Sequence, residues 1–138
     1  MSKTSILLAD DNSSVLNQVR RMLEREERFR VVAAVKDGDA VLPECSRLKP
    51  DVIILDISMG DLSGIDVAMQ LRDSGCLSKI IFLTVHEDRD FLNAAMGAGG
   101  SAYVVKSRLS QDLVSAIHAV LADKLFVSPT MLFTGQRP

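Results

Sequence analysis

Five residues have types and positions that could do chemistry together. They are Asp10 and Asp11 in "ILLADDNSSV", Asp56 in "VIILDISM", Thr84 in "IIFLTV" and Lys106 in "AYVVKS". Adjacent carboxylates at the end of a buried strand repel each other and are costly to desolvate. Three acids with no His or Cys among them make a hard oxygen site, suited to Mg2+ or a similar divalent ion. Lys106 supplies a point charge for phosphate oxygens, and the Thr84 hydroxyl can donate to one of them. Asp56 is placed to be both metal ligand and nucleophile, and a carboxylate attacking phosphorus gives an acyl phosphate. Metal and lysine together offset charge on a transferring phosphoryl group. Taken singly, each residue has a plainer reading: a helix cap, a turn residue, a strand-end threonine, a solvated lysine. The set carries the functional reading.

The elements that must position this set alternate along the chain. Continuous apolar runs at 4–9, 30–35, 51–56, 79–84 and 101–106 read as strands covered on both faces. Between them, helical spacing recurs at Val15, Leu16, Val19, Met22 and Leu23, and at Val67, Ala68 and Leu71. Further helices are expected from Asp37 to about Leu48, from an acidic turn at Glu87–Asp90 to Met96, and from a Ser110 cap to Leu121. Pro43 falls inside the second helix and predicts a short or irregular element. Ser63 with Asp66 has the form of a capping box, and Gly75 ends that helix. Five strands alternating with five helices imply an α/β fold: a doubly wound parallel sheet with right-handed crossovers. Ligands of such sheets sit outside the carboxyl ends of the strands. Asp10, Asp11, Asp56, Thr84 and Lys106 all stand at such ends. "GAGGSA" (97–102) fits a dinucleotide fingerprint but follows a helix and precedes a strand, the reverse of what that motif requires.

Composition narrows the classes. A chain of 138 residues with 47% hydrophobic and 25% charged residues can build one ordinary core. A net charge of −2 and the absence of a basic, aromatic-laced stripe give no drive toward nucleic acid or an anionic membrane. No apolar run approaches a membrane span, and "MSKTSILL" lacks the apolar region of a signal peptide. Cys45 and Cys76 have no metal-type spacing and are expected as free thiols in a reducing compartment, which fits the cytoplasm.

The acids, Thr84, and Tyr103 and Lys106 in "GGSAYVVKS" resemble those of a receiver domain of a two-component response regulator. "AMGAGGSAYVVKS" and the later "LFVSP" look most like the NarL/LuxR-type branch. The resemblance covers residues 4–122 and implies a five-stranded flavodoxin-like (βα)5 receiver with strand order 2-1-3-4-5. It assigns residues 1–122 to the receiver domain and 123–138 to a C-terminal tail or the start of a linker. By the same resemblance Asp56 is the phosphoacceptor, modified from a sensor histidine kinase. Asp11, Asp56 and the backbone carbonyl of Ser58 bind Mg2+, with Asp10 acting through water. Thr84 and Tyr103 are switch residues, and Thr84 and Lys106 meet the phosphoryl oxygens. Homodimerisation through the fourth helix, fifth strand and fifth helix is implied, with slow autodephosphorylation as the only turnover. Transcriptional output passes through a DNA-binding domain expected beyond this fragment, which by itself is expected not to bind DNA.

The sequence also departs from the usual receiver pattern. Gly60 and Ser107 stand where many receivers have proline, so a freer loop after Asp56 and a trans Lys106–Ser107 bond are expected. His86 is placed to flank the entrance to the acids. A receiver-like interaction module that works without phosphate is the alternative. A turnover phosphatase of the haloacid-dehalogenase type wants Asp-x-Asp, whereas Ile57 and Ser58 follow Asp56.

Overall fold

A computed structural model describes residues 3–132. Residues 1–2 and the end of the expected tail, 133–138, lie outside the described part. The strands are β1 (Thr4–Ala9), β2 (Phe29–Val35), β3 (Val52–Leu55), β4 (Lys79–Thr84), β5 (Ala102–Val105) and β6 (Phe126–Val127). The helices are α1 (Ser13–Glu24), α2 (Val41–Leu48), α3 (Gly64–Asp73), α4 (Arg89–Gly97), α5 (Leu109–Leu121) and α6 (Pro129–Leu132). All strand pairs are parallel, in the order β2-β1-β3-β4-β5-β6.

The expected five-stranded sheet is therefore corrected to six. Phe126 N–H donates to the Ser101 carbonyl and Ser128 N–H to the Tyr103 carbonyl, which adds a short strand to the open edge of β5. Two residues are too few to show a period of two, so the sequence pattern holds no sign of β6. The covered edge leaves β5 without a row of unpaired backbone groups.

The alternation of strand side chains divides the core into two layers. Leu7, Ile53, Leu55 and Phe82 point to one face, where α2, α3 and α4 supply Val41, Val67, Leu71 and Leu92. Ile6, Leu8, Ile54 and Ile81 point to the other, where α1 and α5 supply Leu16, Val19, Leu113 and Ile117. Burial on both faces is why the strands read as unbroken apolar runs.

Local chemistry explains most boundaries. The Asn12 side chain accepts from Ser14 N–H and Val15 N–H and caps α1, so that helix needs neither Asp10 nor Asp11 as its cap. A 3-10 turn at Gly38–Ala40 precedes α2. Pro43 is the third residue of α2, where its missing N–H has no intrahelical partner to lose. Ser63 caps α3 through Ile65 N–H, and Gly75 (φ 82°) turns the chain after it. The Ser110 cap is corrected: a 3-10 turn at Lys106–Arg108 leads into α5, and Ser110 lies inside the helix. The described peptide bonds are all trans, including Lys106–Ser107. Gly60 adopts φ 68°, a value closed to proline, so the loop after Asp56 takes a left-handed turn.

Candidate functional site

The carboxyl ends of β1, β3 and β5 converge, as the parallel topology requires. Ligand atoms of Asp10, Asp11 and Asp56 all lie within 4.8 Å of one another. Asp10 and Asp56 are buried and Asp11 is exposed, so the cluster is open on one side. The backbone fixes the first two carboxylates locally. Asn12 N–H donates to Asp10 Oδ1 at 2.9 Å, and Ser58 N–H donates to Asp56 Oδ1 at 3.3 Å. Lys106 Nζ stands 2.8 Å from Asp10 Oδ2 and 3.1 Å from Asp56 Oδ2.

Three carboxylates against one ammonium leave the cluster short of positive charge. Burial and the neighbouring Asp10 charge raise the Asp56 pKa, against the pull of Lys106 and the Ser58 N–H. Burial lowers that of Lys106, but Asp10 and Asp56 outweigh it and hold the ammonium charged. Asp10 Oδ2 is buried, and the group that faces it is the Lys106 ammonium at 2.8 Å, which Asp56 shares. One ammonium shared by Asp10 and Asp56 leaves three clustered carboxyl groups under-neutralised, which a divalent cation among them would offset. The residues present thus fit a small divalent ion held by oxygen ligands.

Thr84 closes β4 fully buried, and its Oγ1 accepts from His86 N–H at 3.3 Å. Tyr103 is fully buried on β5 and donates its hydroxyl to the His86 carbonyl at 2.8 Å. Burial, with the nearby Asp88 and Glu87 charges, raises its pKa, so the phenol stays protonated as a donor. Both switch candidates therefore meet the backbone of His86, in the loop from β4 to α4, rather than the acids. The His86 ring stacks on Phe91 with centroids 4.0 Å apart, and its Nε2 lies 2.7 Å from Ser58 Oγ. Sequence reasoning placed His86 at the entrance but missed this bridge from the loop after Asp56 to the loop after Thr84. Two loop residues 28 positions apart carry no local signal of contact.

Gly64 was also missed. Its N–H donates to the Ile57 carbonyl at 2.7 Å, and a Cβ there would lie 2.0 Å from the Asp56 carbonyl oxygen. The start of α3 is thus pressed against the backbone that carries Asp56.

A doubly wound parallel sheet with an acid cluster and a lysine at its carboxyl edge places the chain in the class of α/β domains that carry their site at the strand ends. The family model for the response regulator receiver domain matches residues 6–118. The chain belongs to that family, and its homologues are NarL/LuxR-family response regulators. It is 33% identical over 132 residues to the uncharacterized transcriptional regulatory protein YvfU of Bacillus subtilis, covering 96% of this chain and 66% of that protein. Transcriptional regulatory protein DesR of the same organism is 31% identical over 128 residues, covering 93% of this chain and 63% of that one. The chain spans less than two thirds of the length of these relatives. A LuxR-family response regulator structure from Aurantimonas sp. SI85-9A1 superposes with a TM-score of 0.90 at 31% identity, covering 95% and 94% of the two chains. The isolated receiver domain of RcsB from Salmonella enterica, determined with the phosphomimetic BeF3−, gives 0.87 at 28% identity, covering 95% and 97%.

Proposed function

We propose that this chain is a phosphorylation-dependent receiver in which Asp56 accepts a phosphoryl group from the phosphohistidine of a sensor histidine kinase. The observation that carries the reading is the buried Asp56 carboxylate 3.1 Å from Lys106, with Asp10 and Asp11 clustered beside it. An Asp56 oxygen attacks phosphorus as the bond to the imidazole nitrogen breaks; the nitrogen keeps the electron pair, and a proton held on the other ring nitrogen lets the imidazole leave neutral. Lys106 offsets charge on the phosphoryl oxygens, and the Thr84 hydroxyl exchanges its present contact for one of them.

Asp11, Asp56 and the Ser58 carbonyl would hold Mg2+, with Asp10 acting through water. When bound, the ion supplies charge neutralisation between carboxylates and phosphoryl oxygens. Phosphorylation adds about −1.5 to −2 charge to this cluster. Thr84 and Tyr103 both engage His86, so a shift of Thr84 disturbs the loop into α4 and biases the α4-β5-α5 surface. RcsB has been seen as dimers bound to DNA. By analogy, that surface supports a homodimer here, and a DNA-binding output domain controls transcription in the cytoplasm. β6 pairs with β5, so the receiver unit continues past the expected boundary at residue 122.

Incubation with acetyl phosphate, followed by intact mass measurement, tests this. A gain of one phosphoryl group in the presence of Mg2+, absent with chelator and absent in Asp56→Ala, is expected. A folded wild type that gains nothing would leave the phosphate-independent interaction module as the reading.

A further inference from the structure

The acid site uses neither cysteine, yet the fold brings both together. Cys45 lies in the last turn of α2 and is buried; Cys76 lies in the loop between α3 and β4 and is half-buried. Their Sγ atoms are 3.0 Å apart, about 1 Å longer than a disulfide bond of roughly 2.05 Å. Both line a cleft of about 670 Å3, whose rim includes Lys49, Asp51, Ser78 and Lys79. It lies at the amino ends of β3 and β4, the end of the sheet opposite Asp56. We propose that Cys45 and Cys76 are a redox-modification site that closes to a reversible disulfide by exchange with a low-molecular-weight disulfide entering this cleft.

The order of events follows from exposure. Cys76 is reachable from the cleft, whereas burial and its neighbour Cys76 push the Cys45 thiol up to about 11. The thiolate is the attacking species, so Cys76 attacks first. Its sulfur bonds to one sulfur of the small disulfide, the S–S bond breaks, and one thiolate leaves. Cys45 then gives its proton to that thiolate and attacks Cys76 Sγ, expelling the second thiolate, which takes a proton from water. Two protein thiols are oxidised and one small disulfide is reduced to two thiols. The new bond ties the carboxyl end of α2 to the entrance of β4 and closes a loop between positions 31 residues apart.

The test uses mixtures of oxidised and reduced glutathione at fixed pH, quenched by N-ethylmaleimide and read by intact mass and peptide mapping. The expected oxidised product has lost two hydrogens, takes no alkyl group, and yields a Cys45–Cys76 linked peptide as a monomer. Cys45→Ser is expected to stop at a glutathione adduct on Cys76. Cys76→Ser is expected to react at least ten-fold more slowly than wild type at its remaining thiol. The proposal is overturned if wild type keeps two alkylatable thiols across the titration, stops at glutathione adducts, or links only between chains. These wild-type results decide the matter even if a serine variant fails to fold.

Discussion

Gly64→Ala should disable the receiver from a position that touches no ligand. The added carbon would sit 2.0 Å from the Asp56 carbonyl oxygen and 2.8 Å from its carbon, against 3.4 Å for ordinary contact. Helix and strand must therefore part by about 1.4 Å, and the obstacle is backbone, which no rotamer change relieves. Overpacking of this kind costs typically 1–3 kcal/mol, and the gain of up to about 1 kcal/mol from replacing a helical glycine offsets only part of it. The upper part of that range is expected, because the 2.7 Å bond from Gly64 N–H to the Ile57 carbonyl is strained by the same movement. A loss of about 2 kcal/mol lowers Tm by roughly 6–10 °C in a domain of this size. The displaced backbone carries Asp56, and a misplacement of about 1 Å can cost on the order of 100-fold in rate. Phosphorylation by acetyl phosphate should fall at least ten-fold at a temperature where the variant is folded. Gly97→Ala is the control: nothing lies within 4 Å of its added carbon, and it should leave Tm and rate unchanged or raise Tm slightly. Wild-type Tm and rate in Gly64→Ala would refute the claim that α3 is pressed against the acceptor strand.

Other outcomes follow from the same geometry. Mg2+ at ten times its Kd should stabilise the chain by about 1.4 kcal/mol, seen as a rise in Tm that Asp11→Ala abolishes; an equal rise in the variant would mean that the ion binds elsewhere. The folded-state pKa of Asp56 is raised above 3.8, so the folded state holds its proton more tightly than the unfolded state and stability falls as pH rises through that window. Asp56→Asn should thus be more stable than wild type at pH 7, with the difference shrinking as pH falls through the raised folded-state pKa and gone once pH drops below about 4; a constant difference across a denaturation series from pH 3 to 7 would contradict this. Ser128 donates to buried Asp112 at 2.8 Å and accepts from Val105 N–H at 3.1 Å, while Arg108 grips the same carboxylate. Ser128→Ala leaves both groups short of a partner, so it should cost about 2 kcal/mol and speed hydrogen exchange at the Val105 amide; unchanged exchange there would show that β6 is not held by this network.

The core of the fold was legible because each strand is buried on both faces and each helix shows one apolar stripe. The site was legible because a parallel sheet sends every strand's carboxyl end to one edge, so Asp10, Asp56, Thr84 and Lys106 could be placed from strand ends alone. What escaped the sequence depends on contacts without local pattern. β6 is held by backbone bonds to β5 and by a buried serine. Gly64 matters through a backbone approach that only its missing Cβ permits. His86 joins Ser58 because two loops fold side by side, and Cys45 joins Cys76 because α2 packs beside the loop between α3 and β4. Ser110 misled because a serine ahead of an apolar stripe resembles a cap, whereas a 3-10 turn here puts the cap two residues earlier, at Arg108.

One carboxylate, Asp56, is expected to carry the phosphoryl group. Borohydride reduces an acyl phosphate to an alcohol and leaves a free carboxylate untouched, so it marks the acceptor covalently. After treatment with acetyl phosphate and Mg2+, reduction and peptide mapping should find the mark at Asp56 alone. A mark at Asp10 or Asp11, or none on a folded protein, would contradict the account.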